Sequence, residues 1–323
     1  MKTRIVTLDA LSDTQLNNIV KKHIPIAFPT ETVYGLGAPF DDEETVFNVF
    51  ILKQRPLNNP LIVHVASIAM IQPLVSDIHP DARLLMDAFF PGPLTLIMKK
   101  SDLVSELITA KQDTVGIRMP QHTVALDLIA RIGKPIVAPS ANVSGKPSGT
   151  DASDVYEDFH GKIPYIIDGQ TSDVGIESTI IDTTREPFVI LRPGFITREM
   201  IENVLKKPLA TSFNNDIIAP GMIHPHYEPD HPLYILRGSD ENIMYYVNQK
   251  KDALFIGHER FIPFIDIPKI SLGSHIEEMT RYLYHVLRQS NHMKISAIYT
   301  HEIDHEGYMN RVIKAAKNNI IDV

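Results

Sequence analysis

Two spacings of hydrophobic residues alternate along the first two hundred residues of the chain. Short apolar runs rich in β-branched residues predict strands, and runs with an apolar residue at every third or fourth position predict helices. The predicted strands are Arg4 to Leu8, Ile24 to Phe28, Leu61 to Val65, Leu94 to Met98, Val115 to Ile117, Ile136 to Ala138, Tyr165 to Ile167, Thr179 to Asp182 and Phe188 to Leu191. Alternation of this kind is typical of an α/β protein.

Helix starts are marked by capping residues. Ser12 and Gln15 form a capping-box pattern, and Asp42 precedes a run with apolar residues at helical spacing. Four further helices are predicted at Pro80 to Phe90, Val124 to Ile132, Asp151 to Phe159 and Thr197 to Leu205. The segment Pro29 to Gly37 is interpreted as a polar loop whose two glycines permit close approach of the backbone to a ligand, or alternatively as a tight turn.

The composition changes after Lys207. Residues 208–232 contain five prolines and no usable periodicity, which predicts a long ordered linker. Beyond it, strand-like and helix-like runs resume and indicate a small parallel α/β unit. We therefore predict a first domain over 1–207, a linker over 208–232 and a second domain over 233–323.

Composition and charge restrict the classes of function. The 323 residues include no cysteine, which excludes disulfides, thiolate nucleophiles and Cys-based metal sites. The net charge of −8 argues against a protein that mainly coats nucleic acid or an anionic membrane. The N-terminal residues lack the apolar run of a signal peptide, and no stretch approaches 18 uninterrupted apolar residues. A cytoplasmic protein with no membrane association is the resulting expectation.

Several catalytic motifs are missing and one is matched. The glycine patterns of dinucleotide-binding folds and P-loops do not occur, nor does the G-x-S-x-G elbow of hydrolases. The pentapeptide His301 to His305 fits H-E-x-x-H, a zinc signature that requires both histidines on one helix face. Because it follows a strand-like run and precedes Gly307, we favour a polar loop between a strand and the last helix. No side chain is assigned to a metal.

Five cations follow predicted strands or helices at four places in this acidic chain. Taken one at a time, each is equally well explained as a solvated turn or a helix end. Ligands of α/β sheets bind beside the loops at strand ends, so together these cations indicate a small anionic ligand. The cations are Lys53, Arg55, Arg118, Lys146 and Arg192. The hydroxyl-rich loop from Pro139 to Thr150 is suited to a phosphate or a ribose, which favours a nucleotide and a carboxylate-bearing partner.

Collinear motifs then carry a resemblance to a known family. FPTETVYGLGA, KQRPLNNPLIVHV, FFPGPLTLIM, VGIRMP, PIVAPSANVSGKPSGT, DGQTSDVGIESTIID and ILRPGFIT occur in this order, followed by APGMIHPHYEP. The chain resembles the threonylcarbamoyl-AMP synthase family (YrdC-type domain) in its long, two-domain form. The resemblance implies a twisted mixed α/β sheet with a large concave site, and a smaller Rossmann-like α/β domain after the linker.

The resemblance also implies a reaction. Members of the family are nucleotidyltransferases that make L-threonylcarbamoyl-AMP and pyrophosphate from L-threonine, bicarbonate or CO2, and ATP, with Mg²⁺ bound mainly through the phosphates. Their product passes to a tRNA-modifying transferase complex for threonylcarbamoylation of adenosine 37, and stable tRNA binding is not expected. The alternative is a non-catalytic RNA-binding module that uses the same concave basic loops.

Site residues follow from the resemblance by matching positions. Lys53, Arg55 and Arg118 are implied as catalytic, with no protein nucleophile. L-Threonine is expected against Thr32, His64, Arg118, Ala138 and Ser178. ATP is expected against Arg55, Asn59, Thr114, Ser140, Asn142, Ser148, Arg192 and Tyr227, the last folding over it from the linker. His64 is either a general base or a hydrogen-bond partner of the threonine hydroxyl. Family linkers often carry basic residues where this chain has Ile223, His224 and Pro225.

Overall fold

A computed structural model describes residues 2–211, 219–222 and 226–323. Residues 4–192 build a ten-stranded sheet. Its strands are β1 (Arg4–Thr7), β2 (Ile26–Phe28), β3 (Gly35–Pro39), β4 (Ile62–His64), β5 (Leu94–Lys99), β6 (Thr114–Arg118), β7 (Ile136–Val137), β8 (Tyr165–Asp168), β9 (Thr179–Asp182) and β10 (Val189–Arg192). All nine predicted strands are confirmed, with small shifts at their ends.

Within the first sheet, β3 is the strand that the sequence pattern does not predict, because its segment is interpreted as a loop. Its glycines serve packing as well as the site. A Cβ on Gly37 would lie 2.7 Å from the Phe28 ring and 2.8 Å from Ile136 Cγ2, so the neighbouring strands require a glycine there. Gly37 therefore faces side chains of the sheet, and Gly35 is the glycine of this pair that borders the pocket described below.

Helices flank this sheet, and the predicted starts hold. Ser12 and Gln15 form the expected capping box, and the Asp42 carboxylate accepts a hydrogen bond from the Thr45 N–H. The helices are α1 (Asp13–Lys21), α2 (Glu43–Lys53), α3 (Pro80–Phe89), α4 (Glu106–Thr109), α5 (Thr123–Ile132), α6 (Ala152–Phe159) and α7 (Arg198–Leu205). The short helix α4 had not been predicted.

The first sheet is mixed, as expected. The strand order is β1-β8-β2-β3-β7-β4-β6-β5-β9-β10, with β4 parallel to β6, β5 antiparallel to β6, and β5 parallel to β9. This register sets His64 directly opposite Arg118. It also sets Thr95 opposite Ile180, which in turn lies opposite Arg192. Residues far apart in sequence are thereby brought to neighbouring positions in the middle of the sheet.

A second, five-stranded sheet follows the linker and is parallel throughout. Its strands are β11 (Leu233–Arg237), β12 (Ala253–His258), β13 (Lys269–Gly273), β14 (Ala297–His301) and β15 (Ile320–Asp322), in the order β13-β12-β14-β11-β15. Its helices are α8 (Asp240–Asn248), α9 (Ile276–Ser290) and α10 (Glu306–Ala315). The predicted parallel α/β unit is confirmed, although β13 and β15 had not been predicted. The boundaries 1–207, 208–232 and 233–323 stay predictions.

The hydrophobic core is divided between the two sheets. The first sheet packs on its helices through a large cluster around Val49, Val63 and Leu85, and the second packs around Leu254, Leu283 and Ile298. Within the described ranges 2–211, 219–222 and 226–323, no helix combines the length and the apolar character needed to cross a lipid bilayer.

Candidate functional site

A pocket lies where the central strands of the first sheet meet the linker. Its wall includes all but three of the residues that the sequence predicted for the site. The predicted residues in the wall are Thr32, Arg55, His64, Arg118, Ala138, Ser140, Asn142, Ser148, Ser178, Arg192 and Tyr227. The three that do not line it are Lys53, Asn59 and Thr114. Thr114 lies on β6 at the even-numbered spacing that puts it on the same face as Arg118.

Arg118 is held at the end of β6 by a buried carboxylate. Its Nη2 lies 2.7 Å from Glu31 Oε2 and 3.4 Å from the Thr30 hydroxyl, and both members of the ion pair are about 5% exposed. Among the described residues, Arg118 Nε has no hydrogen-bond partner. The guanidinium thus has Nη2 paired with Glu31, and its Nε is without a partner among the described residues. This arrangement suits a fork that binds a carboxylate.

His64 stands beside Arg118 and is neutral. Burial, and to a smaller extent the positive charge of Arg118, together lower the pKa of His64 to about 3. Its Nδ1 lies 3.2 Å from the Ile62 carbonyl oxygen. A histidine with this pKa is a weak base at neutral pH, so the geometry favours a hydrogen bond over proton transfer.

The buried neutral state of His64 predicts a pH-dependent stability. The folded pKa near 3 lies below the ordinary value of 6.5, so the unfolded chain binds the extra proton first as the pH falls. This group should therefore lower the free energy of unfolding by about 2 kcal/mol between pH 7.5 and pH 5. The difference between wild type and His64→Gln in chemical denaturation at these two pH values measures it. Equal pH dependence in the two proteins would contradict the assignment.

Arg55 is held in place by Asn59 and Pro60, which lie in the same loop between α2 and β4. Its Nη2 donates to Asn59 Oδ1 at 2.8 Å and to the Pro60 carbonyl at 2.7 Å, and its Nε donates to the Asn59 carbonyl at 3.1 Å. Asn59 thus orients Arg55 rather than lining the pocket. Burial and the nearby charge of Arg192 lower the pKa of Arg55 to about 9, which leaves it protonated at neutral pH.

Arg192 ends β10 and connects the sheet to the linker. Its Nε and Nη2 donate to the Ser178 carbonyl at 3.1 and 3.0 Å, and its Nη1 donates to the Pro220 carbonyl at 3.1 Å. Burial lowers the pKa of Arg192 to about 10, helped by the charge of Arg311. Ser178 also shares a 2.7 Å hydrogen bond with the Thr95 hydroxyl. Two arginines therefore enter the pocket from the loop after α2 and from β10.

The loop from residue 138 to residue 150 is tied down from inside. Lys53 is 1% exposed, and its Nζ donates to the carbonyls of Ser140 and of Asn142, the second at 2.6 Å. Burial, together with the charge of Arg55, lowers the pKa of Lys53 well below its usual value. The Ser140 hydroxyl donates to Asn142 Oδ1 at 2.6 Å, and Asn142 Nδ2 donates to the carbonyls of Val143 and Lys146, both at 2.9 Å. The side chain of Lys53 therefore supports the loop from beneath, whereas the family resemblance implies a catalytic role for it. Whether it is catalytic stays a prediction.

The linker covers part of the pocket through Tyr227, which is 4% exposed. Its ring stacks on Tyr284 of the second domain with centroids 5.1 Å apart. The backbone next to it is held by a 2.8 Å hydrogen bond from the Glu228 N–H to the Gly145 carbonyl. Pro220, Gly221 and His226 also border the pocket. Ile223, His224 and Pro225, where the family resemblance weakens, lie outside the described residues.

One charged residue of the pocket wall, Glu177, has no role in the sequence prediction. Glu177 borders the pocket and is buried, and its Oε1 accepts a 2.7 Å hydrogen bond from the Ser148 hydroxyl. Burial alone would raise the pKa of Glu177, but the charges of Arg311 and Arg192 lower it to about 2. The available signal in the sequence was an acidic residue that directly follows the apolar Ile176. Its partner Arg311 lies 134 positions further along the chain, so the pairing could not be predicted.

The H-E-x-x-H segment is a strand end, a loop and a helix cap. His301 closes β14 and its Nε2 accepts a 3.0 Å hydrogen bond from the His258 N–H. His305 precedes α10, and its Nδ1 accepts from the Tyr308 N–H at 3.0 Å. The two histidines do not share a helix face, so the preferred interpretation as a loop is confirmed.

These observations define a two-domain α/β protein with a buried, arginine-lined pocket on a mixed sheet, covered by the linker. Comparison of the sequence with family models gives two matches. Residues 18–194 match the Sua5, YciO and YrdC family, described as telomere recombination, and residues 196–317 match the threonylcarbamoyl-AMP synthase C-terminal domain. The chain belongs to the threonylcarbamoyl-AMP synthase family in its two-domain form, which confirms the resemblance seen in the sequence.

Named relatives agree over nearly the full length. The chain is 41% identical over 316 residues to threonylcarbamoyl-AMP synthase of Pyrococcus abyssi, with 92% of each chain covered. It is 38% identical to the synthase of Bacillus subtilis, covering 99% of this chain and 100% of the relative.

Solved structures show the same architecture. The crystal structure of P. abyssi Sua5 complexed with L-threonine matches with a TM-score of 0.89 and 38% identity, over 99% of this chain and 100% of that one. Escherichia coli YciO matches with a TM-score of 0.52 and 22% identity over 59% of this chain and 95% of its own, which supports the fold alone.

Proposed function

We propose that this protein makes L-threonylcarbamoyl-AMP and pyrophosphate from L-threonine, bicarbonate or CO2, and ATP. The observation that carries the proposal is the pocket itself, which combines Arg118 and a neutral His64 with Arg55 and Arg192. The relatives that match over nearly the full length carry the name of this enzyme, and one related structure holds L-threonine. Both facts favour a synthase over the alternative of a non-catalytic RNA-binding module.

L-Threonine is proposed to bind at Arg118. The Arg118 guanidinium is paired with Glu31 through Nη2, and its Nε, which has no hydrogen-bond partner among the described residues, is proposed to donate to the planar carboxylate. Thr32, His64, Ser178 and the Ala138 backbone border the same pocket and supply polar contacts for the amino acid. His64, being neutral, adds no charge that would repel the substrate ammonium group.

ATP is proposed to bind between Arg55 and Arg192. Their guanidinium groups offset the phosphate charge, while Ser140, Asn142 and Ser148 supply polar contacts along the loop below. Tyr227 lies over this side from the linker, and Asn59 acts by orienting Arg55. Thr114, which does not line the pocket, is retained as a proposed ATP contact from β6 only on the strength of the matched motif.

The residues present do not fit a Mg²⁺ ion held by the protein. Among the described wall residues Glu177 is the one carboxylate, and its oxygens accept from Ser148, Tyr284 and Arg311. We propose that Mg²⁺ arrives on the ATP phosphates, in keeping with the hydrated way in which this ion usually binds.

The proposed chemistry uses nucleophiles from the substrates. The neutral threonine amine attacks CO2 and releases one proton to solvent, and an oxygen of the resulting carbamate then attacks the α-phosphorus while pyrophosphate leaves. The protein contributes orientation, through Arg118, and charge stabilisation, through Arg55 and Arg192. A tRNA-modifying transferase complex is the proposed consumer of the product.

Incubation with ATP, Mg²⁺, L-threonine and labelled bicarbonate tests this function. We expect label in an adenylate and an equal release of pyrophosphate, both only when threonine is present. Pyrophosphate release without threonine, or no labelled adenylate, would overturn the proposal. Binding of tRNA without ATP that collapses as salt is raised would instead support the RNA-binding alternative.

A further inference from the structure

We infer that the second domain takes part in the ATP site through Arg311, a positioning residue that holds Glu177 in the pocket wall and compensates its negative charge. This inference rests on the proposed function, because it assigns Arg311 to the proposed ATP side of the site. It gives the parallel α/β domain a role that neither its fold nor its sequence motifs indicate.

Arg311 lies on α10 of the second domain and is fully buried. Its Nε donates to Glu177 Oε2 at 2.9 Å, and its Nη2 donates to the Glu177 backbone carbonyl at 2.9 Å. Its Nη1 donates to the Pro193 carbonyl at 2.5 Å, next to Arg192. One side chain thus holds both the side chain and the backbone of Glu177.

Glu177 transmits this restraint to the proposed ATP contacts. Its other oxygen accepts from the Ser148 hydroxyl at 2.7 Å, and Tyr284 of α9 donates to Oε2 at 2.9 Å. Tyr284 in turn stacks on Tyr227 of the linker. Ser148 and Tyr227 are both proposed to contact ATP, so two of these contacts are oriented through one carboxylate.

Charge gives the second reason for Arg311. A buried carboxylate in the wall of a phosphate-binding pocket repels the ligand unless a cation compensates it. Arg55 and Arg192 are needed for the phosphates themselves, whereas Arg311 reaches Glu177 from the side of the second domain. With Arg311 in place, the charge of Glu177 is compensated, and the charges of Arg55 and Arg192 stay available to the phosphates.

Close backbone contacts between the two domains fix the position of α10, and therefore the position of Arg311. A Cβ on Gly307, at the start of α10, would lie 2.3 Å from the Gly194 carbonyl oxygen. A Cβ on Gly175 would likewise lie 2.4 Å from Arg281 Cα in α9. Backbone contact on both sides of Glu177 means that α10 delivers Arg311 at a fixed distance.

Rescue of Arg311→Met by a second substitution tests the inference. Arg311→Met leaves the Glu177 carboxylate buried without its partner, and we expect KM for ATP to rise about ten-fold or more. Arg311→Met combined with Glu177→Gln removes both charges, and we expect KM for ATP to return to within about three-fold of wild type. The matched control is Arg281→Met, which breaks the interdomain pair with Asp173 at 2.9 Å; among the described residues the hydrogen bonds of Arg281 go to Asp173, which does not line the pocket.

The outcomes separate positioning from simple stabilisation. If Arg311 only stabilised the fold, its loss would lower kcat with the fraction of folded protein and leave KM for ATP as in Arg281→Met. That result, or a double variant with a higher KM than Arg311→Met alone, overturns the inference. If wild type makes no adenylate at all, the proposed function fails, but calorimetric ATP affinities of the same four proteins still test the role of Arg311.

Discussion

Replacing Arg118 with alanine should lower kcat/KM for threonine by about 30- to 5,000-fold, corresponding to a loss of about 2 to 5 kcal/mol. The variant leaves the substrate carboxylate without its charged partner. It also leaves Glu31 without its cation, although this carboxylate is only 5% exposed and is paired at 2.7 Å with Arg118 in the native protein. Steady-state kinetics with varied threonine at saturating ATP measures the effect.

Two further variants make the Arg118 result specific. Arg118→Lys keeps the charge but loses the planar fork, so it should recover only part of the activity. Arg131→Ala removes a first-domain arginine paired with Asp13 at 2.8 Å, outside the pocket, and should match wild type. Threonine-dependent pyrophosphate release at wild-type efficiency in Arg118→Ala would show that the carboxylate is bound elsewhere.

Replacing Lys53 with methionine should release the loop from residue 138 to residue 150 and abolish product formation. The Lys53 Nζ donates to the carbonyls of Ser140 and Asn142, and a typical intramolecular hydrogen bond contributes about 0.5 to 1.5 kcal/mol. Loss of two such bonds should raise amide hydrogen exchange at residues 140–148 and weaken ATP binding, measured by calorimetry.

The same experiment distinguishes two roles for Lys53. If Lys53 contacted phosphate directly, Lys53→Met would lower the affinity for ATP without changing hydrogen exchange in the loop. The control is Lys134→Met, which removes an exposed lysine paired with Asp41 at 2.5 Å and should leave both measurements unchanged. Unaltered exchange in Lys53→Met would contradict the supporting role that its buried contacts indicate.

Local patterns in the sequence were sufficient for most secondary structure. The Ser12 capping box and the Asp42 cap start helices where predicted, because both depend on residues three positions apart. The short strands β3, β13 and β15 were missed for the opposite reason. The strand β3 reads GLGAP, with little strand propensity of its own, and it forms because β2 and β7 pair with it on either side.

The candidate site was predicted unevenly. Arg55, Arg118 and Arg192 were suggested by cations following strands and helices, and the matched motifs added His64, Ser140 and Ser148. The supporting contacts of Lys53 and Asn59 were not accessible from the sequence, since a lysine or asparagine in a loop does not reveal whether it faces the ligand or the backbone behind it. Glu31 and Glu177 were likewise unassigned, because their partners lie in distant strands and helices.

The α/β class, nine strands and six helices of the first domain, the family and most of the pocket wall can be predicted from the amino-acid sequence. These follow from periodicity, caps and collinear motifs, all of which are carried by neighbouring residues. The three-dimensional fold was needed to show that His64 lies opposite Arg118, that Lys53 lies beneath the loop, and that Arg311 compensates Glu177. Strand register and buried ion pairs join residues that are tens to more than a hundred positions apart, and no local pattern encodes which of them meet.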